Sequence, residues 1–276
     1  MKITAQQVNE LRKLTGAGMM DCKKALVESE GDLEKAVDVL RKKGQKVAAN
    51  RADRDAAEGV VLAKTNADKT FAAAVMVNCE TDFVAKNSDF IGYASSILDL
   101  AISNSAKNAD ELGSLKLDSG RTVAESILDQ TGVIGEKIQL GRYELVTADS
   151  TYAYIHPGNR IATIVGLNKA GDTFAEAGKD VAMQIAAMSP IAIDKDSVSE
   201  DVVKHEIEVG KDQARQEGKP EAMLEKIAMG RLNKFFKENT LLNQAFIKDG
   251  KKSVSQYLKE SDKDLTVVDF KRLALA

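Results

Sequence analysis

The N-terminal part of the chain carries apolar residues at helical spacing in three runs: Val8, Leu11, Leu14; then Met19, Cys22, Leu26; then Leu33, Ala36, Val37, Leu40. Breaks fall at Thr15-Gly16-Ala17-Gly18 and Glu30-Gly31-Asp32, where glycine accepts the positive φ of a helix end and Asp32 is placed to cap the next helix. The pattern predicts a compact three-helix unit, followed by an Ala-rich, charged connector from Lys46 to Glu58. From Gly59 the period becomes that of strands, Val60 to Thr65 and Thr70 to Val77 around a turn at Asn66-Ala67-Asp68-Lys69. A polar loop, Asn78 to Asn87, then leads to a helix over Ser88 to Ile102.

A second stretch repeats the plan: Tyr152 to His156, a turn at Pro157-Gly158-Asn159, Ile161 to Leu167, a loop, and a helix near Phe174 to Met188. Its loop, Asn168-Lys169-Ala170-Gly171-Asp172, has no equivalent of Thr81-Asp82-Phe83. Between the two units, Arg121 to Gln130 reads as a helix and Lys137 to Val146 as a strand able to join a sheet. Beyond them, Ser199 to Gln216 and Pro220 to Lys237 predict an antiparallel helical hairpin roughly 27 Å long. A thin apolar stripe on its first helix, interrupted by Gly210, predicts that the hairpin projects from the body. A helix at Ser253 to Lys259 and a strand at Leu265 to Phe270, returning to the second sheet, close the chain. The fold class is therefore α+β.

The loop from Asn78 to Asn87 is the chemically distinctive segment. Phe83 stands at its centre between Asp82 and Lys86, in a chain with 5% aromatic residues and no Trp. An aromatic on a scaffold-mounted loop is a candidate wedge for a partner; a side chain folded back into its own core is the competing reading. Met19 and Met20, about 100° apart on a helix, cannot both face the small N-terminal core, so one is expected to face outward, with Arg12 bordering the same patch.

Composition narrows the function class. Net charge is −3, with 43% hydrophobic and 29% charged residues, which gives no global attraction to nucleic acid or to an anionic membrane. The basic run Arg41 to Lys46 reads as a helix C-terminus complementing its dipole rather than as an RNA site. Cys22 and Cys79 are far apart and form no CxxC, and His156 and His205 are separated by a long stretch of chain, so neither a disulfide framework nor a metal site is expected. Gly16-Ala17-Gly18 lies between helices rather than after a strand, and no Walker, HExxH or nucleophile-elbow sequence occurs, so neither an enzyme nor a bound cofactor is expected. Met1 to Gln7 lacks a leader's apolar core and no stretch reaches the roughly 18 apolar residues of a membrane span, which points to the cytoplasm.

Leu14-Thr15-Gly16-Ala17-Gly18-Met19-Met20-Asp21-Cys22-Lys23-Lys24-Ala25-Leu26 and Thr81-Asp82-Phe83-Val84-Ala85-Lys86-Asn87 resemble the two signatures of the bacterial elongation factor Ts family. The resemblance extends through His156 and the hairpin with Gly218-Lys219-Pro220 almost to the chain end. It implies a UBA-like (ubiquitin-associated-like) N-terminal domain at 1–56 and core subdomains at 57–141 and 142–198. It further implies a protruding hairpin at 199–239 and a return segment of the second subdomain at 240–276. It implies a guanine-nucleotide exchange factor for elongation factor Tu in its GDP-bound and nucleotide-free states. Thr81, Asp82, Phe83 and Val84 would then act near the partner's magnesium site, Arg12, Met19 and Met20 would touch its GTPase domain, and His156 would face another domain. Longer family members carry a helical module after the last strand, where this chain ends at Lys271 to Ala276. A passive adaptor working through the N-terminal unit and the hairpin is the main competing class.

Overall fold

The computed structural model describes residues 3–276; Met1 and Lys2, which open the segment read as lacking a leader's core, lie outside the described residues. Three helices come first: α1 (Ala5–Thr15), α2 (Met19–Glu28) and α3 (Leu33–Asn50). Thr4 and Gln7 form a capping box at the start of α1, Gly16 ends it at φ 71°, and Asp32 caps α3 by accepting from Lys35 N. Val8, Leu11, Cys22, Ala25, Leu26 and Ala36 fill a small shared core. The basic run does not terminate α3 as expected. The helix continues to Asn50 with no basic residue in its last turn, Arg41 pairs with Asp38 and Lys43 with Asp21. What reads as connector is thus partly helix, because Val47-Ala48-Ala49 propagate it at little entropic cost.

The core follows as β1 (Glu58–Thr65), β2 (Phe71–Cys79), α4 (Asp82–Ala85), α5 (Ser88–Asn104), α6 (Ala109–Ser114), α7 (Val123–Ile134) and β3 (Gln139–Thr147). The second half is β4 (Ser150–Ile155), β5 (Ile161–Leu167), α8 (Ala175–Met188), α9 (Glu200–Gln216), α10 (Leu224–Asn239), β6 (Ala245–Phe246), β7 (Asp249–Ser253), α11 (Val254–Ser261) and β8 (Val267–Ala274). Two antiparallel three-stranded sheets, β1-β2-β3 and β4-β5-β8, each place the second strand of a hairpin at the centre. The repeated plan therefore includes the third strand as well. The subdomain boundary expected at 141/142 falls inside β3, which pairs with β2 through Thr147, so the first sheet extends beyond it.

The uninterrupted burial of β2 has a direct cause. Phe71, Ala73, Val75 and Val77 face α5, while Ala72, Ala74 and Met76 face the second sheet. On β5, Val165 and Leu167 face α8 while Ala162 and Ile164 face the first sheet. The layers run helix, sheet, sheet, helix, and a central strand covered on both sides loses the polar alternation of a half-exposed one. The β4–β5 turn is tied to the first sheet by Val61 N donating to Asn159 O at 2.7 Å.

In the hairpin, α9 packs on α10 and on no other element to a comparable extent. Ala214, Leu224, Ala228 and Leu232 are buried along it, and Lys211–Glu225 and Arg231–Glu217 pairs at 2.9 and 2.7 Å flank the seam. Gly210 does not interrupt this contact but makes it close: a Cβ there would lie 3.2 Å from Ala228 Cα. The short β6–β7 hairpin escaped the strand pattern because tertiary contacts hold it. Ile247 N donates to the buried Gln184 side chain at 2.9 Å and Lys248 pairs with buried Asp180 at 2.6 Å.

Candidate partner-binding site

Strand β2 runs out at Cys79, and the segment expected as an open loop closes instead into the single helical turn α4. Thr81 caps it: its extended backbone (φ −122°, ψ 152°) lets Oγ1 accept from Val84 N. One turn of helix sends neighbouring side chains to opposite fates. Ala85 is buried and Val84 packs against the first core, whereas Phe83 is 84% exposed. The core reading of Phe83 is thereby excluded. Asp82 and Lys86 form an i,i+4 pair at 2.6 Å beside the ring, and that hydrogen bond holds the Asp82 carboxyl below its ordinary value.

The second unit does have a counterpart to α4, contrary to the sequence expectation. A 3-10 turn, Asp172–Phe174, stands at the equivalent point before α8. Its aromatic, Phe174, packs into the second core. Two related scaffolds thus carry an acidic residue and a phenylalanine at the same corner, one ring turned in and the other turned out.

The turn is held from beneath by acidic residues that the sequence pattern did not single out. Glu136 accepts from Glu80 N at 3.1 Å, from Thr81 N at 3.0 Å and from the Thr81 hydroxyl at 2.7 Å. Glu80 reciprocates, accepting from Lys137 N at 2.6 Å and from Arg51 at 2.7 Å, with Arg54 at 3.6 Å. Lys137 Nζ in turn donates to the carbonyls of Ala52 and Arg54, both at 2.8 Å. These groups meet from segments 29 to 85 residues apart in the chain, which is why spacing alone gave no signal. Cys79, beneath the turn, donates to Thr81 O at 3.2 Å; burial, with the nearby Glu136 charge, pushes its thiol up to about 12, so it offers no thiolate.

Glu80 supplies a pH test. The Lys137 N–H and the Arg51 guanidinium hold its carboxyl below the ordinary 4.5. A depressed folded-state value contributes stability that is complete above the unfolded value and disappears as pH falls through the folded one. The difference in thermal midpoint between the parent chain and Glu80→Gln will therefore be widest above about pH 4.5 and close progressively below it. A pH-independent gap would refute this account of the clamp.

Of the other residues singled out, Arg12 is exposed in the last turn of α1, and Met19 and Met20 open α2. Both methionines are exposed, at 56% and 65%, where only one was expected to be. The inward-facing member of the first turn of α2 is Cys22, fully buried in the small core beside Ala17, which leaves both methionines outside it. Leu14, counted in the apolar stripe of the first helix, is 65% exposed. The N-terminal helices are fixed relative to the core because α3 crosses α7 at a glycine–glycine contact, Gly44 against Gly132, and Val133 packs into the N-terminal core. His156 is exposed at the end of β4, its Nδ1 3.0 Å from the Tyr154 hydroxyl. It directly follows β4 of the other sheet. Among the described residues, no helix is long and apolar enough to cross a membrane.

A family model described as elongation factor TS matches residues 80–276, beginning at the Glu80 that clamps this turn. The elongation factor Ts of Christiangramia forsetii is 54% identical over 275 residues, 99% of this chain and 99% of its own length. That of Amoebophilus asiaticus is 54% identical over 274 residues, again 99% of both. That of Porphyromonas gingivalis is 50% identical over 276 residues, 100% of this chain and 99% of its own length. These alignments carry the likeness through the three N-terminal helices that precede the model match. With identity at this level from the first helix to the last strand, the chain belongs to the elongation factor Ts family.

Proposed function

We propose that the chain is a guanine-nucleotide exchange factor for elongation factor Tu, acting in the cytoplasm during translation elongation. It binds the GDP-bound partner and promotes GDP release by disturbing the magnesium and phosphate site, so that GTP can reload. The observation that carries this reading is Phe83: a large apolar ring, 84% exposed, on a turn whose backbone is hydrogen-bonded from two directions. An unsatisfied aromatic held that firmly is suited to entering another protein.

In this reading residues 1–56, a UBA-like domain, grip the GTPase domain through Arg12, Met19 and Met20. The two sheet-and-helix subdomains carry Thr81 to Val84 on one side and His156 on the other, the latter meeting a further domain of the partner. No bond chemistry is involved. Exchange requires tighter binding to nucleotide-free than to GDP-bound partner, and GDP then weakens the factor's binding by the same ratio. A thousandfold ratio corresponds to about 4 kcal/mol, and burying one Phe supplies about 1.5–3 kcal/mol. The ring alone falls short, so the docked N-terminal patch and the second subdomain must hold the partner open. Phe83 displaces side chains that support magnesium and phosphate, while Asp82 alters the local hydrogen bonding.

Stopped-flow release of a fluorescent GDP from elongation factor Tu tests the reading. Substoichiometric amounts of the chain are expected to accelerate release over repeated turnovers. Tight binding with unaltered release would replace exchange by the passive adaptor.

A further inference from the structure

Beneath Phe83 lies a side chain with no outward-facing task. Glu136 follows directly on Gly135, whose left-handed backbone (φ 80°) ends α7 and turns the chain toward β3. Its carboxylate is aimed at α4, where it takes the Glu80 and Thr81 amides on one oxygen and the Thr81 hydroxyl on the other. The hydroxyl contact governs the cap. A threonine has one hydroxyl proton, and committing it to Glu136 at 2.7 Å leaves an oxygen lone pair for Val84 N. A four-residue helix has no cooperativity of its own to hold it, so its geometry rests on such outside bonds. The bracket is two-sided, since Lys137 N donates back to Glu80 at 2.6 Å.

We infer that Glu136 is a positioning residue for exchange: it holds the Thr81–Ala85 turn in the orientation that presents Phe83, without touching the partner itself. The inference rests on the exchange reading and deepens it by naming what sets the wedge. Glu136 acts on the step in which the ring enters the partner, not on the N-terminal grip. Loosening it should therefore lower the maximal rate of GDP release and leave the half-saturating concentration nearly as it was.

The experiment is a double-mutant cycle on the full chain, read by stopped-flow GDP release across a range of factor concentrations, with hydrogen exchange over residues 79–87. Glu136→Ala is expected to lower the plateau rate about tenfold, to shift half-saturation less than threefold, and to speed exchange of the Glu80 and Thr81 amides. Glu136→Gln, which keeps one acceptor oxygen for those amides, should recover part of the loss. In a Phe83→Ala background, Glu136→Ala should cost much less than in the parent chain, because the ring it chiefly positions is gone and only Asp82 remains on the turn. Thr81→Val, which removes only the hydroxyl, repeats the cycle if Glu136→Ala does not fold. A folded Glu136→Ala chain with an unchanged plateau would overturn the inference, as would a loss repeated in full without Phe83. If Phe83→Ala itself exchanges normally, the wedge reading falls and the inference falls with it. A slow Phe83→Ala beside a fully active Glu136→Ala would sink the inference alone.

Discussion

Replacing Phe83 by alanine will slow factor-stimulated GDP release by about ten- to a hundredfold while leaving the thermal midpoint of the free chain nearly unchanged. The two halves of that expectation come from the same number. A ring 84% exposed contributes little to its own fold, and surface substitutions of this kind cost within about 0.5 kcal/mol. Its apolar area becomes useful only when buried in a partner, where about 1.5–3 kcal/mol is at stake, and at 1.4 kcal/mol per tenfold this gives the stated range. Val84 is the internal control. It packs on the first core one residue away, so Val84→Ala should lower stability, with any loss of exchange following from the loosened turn. Far-UV circular dichroism and a melting curve separate folding from function, and stopped-flow release measures the rate. A folded Phe83→Ala chain that releases GDP at the parental rate would eliminate the wedge.

The contrast between Phe83 and Phe174 shows where the sequence was legible and where it was not. The strand–turn–strand–helix repeat was visible because short apolar runs bounded by turn residues recur in both sheets and both helices keep their period over many positions. The orientation of a single ring at the corner was not, since a local turn can send it either way and only neighbours distant in sequence decide. Asp172–Phe174 escaped notice as a counterpart because a 3-10 turn carries no apolar period of its own. The same limit explains Glu80 and Glu136, which look like ordinary solvated acids until the end of α7 brings them together. It explains Gly210 too, where a residue that weakens an isolated helix is what allows the second helix to approach. For Met19 and Met20, helical geometry correctly required one to face outward, but the size of the core that would have held the other was not readable from spacing.

Two glycines in one contact should respond oppositely to the same substitution, and this is the second large effect expected. At the α3–α7 crossing, a Cβ added to Gly44 would meet Gly132 Cα at 3.4 Å and Leu128 O at 3.6 Å, ordinary van der Waals contact. Added to Gly132 it would overlap Gly44 Cα, with Gly44 N and C at 3.3 and 3.4 Å. Both positions are inside helices, so each alanine gains up to about 1 kcal/mol of helix propensity. For Gly44→Ala nothing opposes that gain, and the midpoint should hold or rise slightly. For Gly132→Ala the obstacle is backbone, which cannot rotate aside, and overpacking of this kind costs about 1–3 kcal/mol, or roughly 2–4 °C per kcal/mol. The displacement should fall on α3, because Ile127 and Ile134 hold α7 against the first core. The exchange assay then distinguishes the roles of the two surfaces. Moving α3 shifts Met19 and Met20 with the N-terminal helices and disturbs the Arg51–Glu80 tie at its end, while the Glu136 bonds to the Glu80 and Thr81 amides stay with α7, so Gly132→Ala should raise the half-saturating concentration several-fold and lower the plateau rate much less. That is the reverse of the pattern expected from Glu136→Ala. Equal behaviour of the two glycine variants, in melting and in exchange, would mean that the N-terminal helices are not held to the core through this crossing.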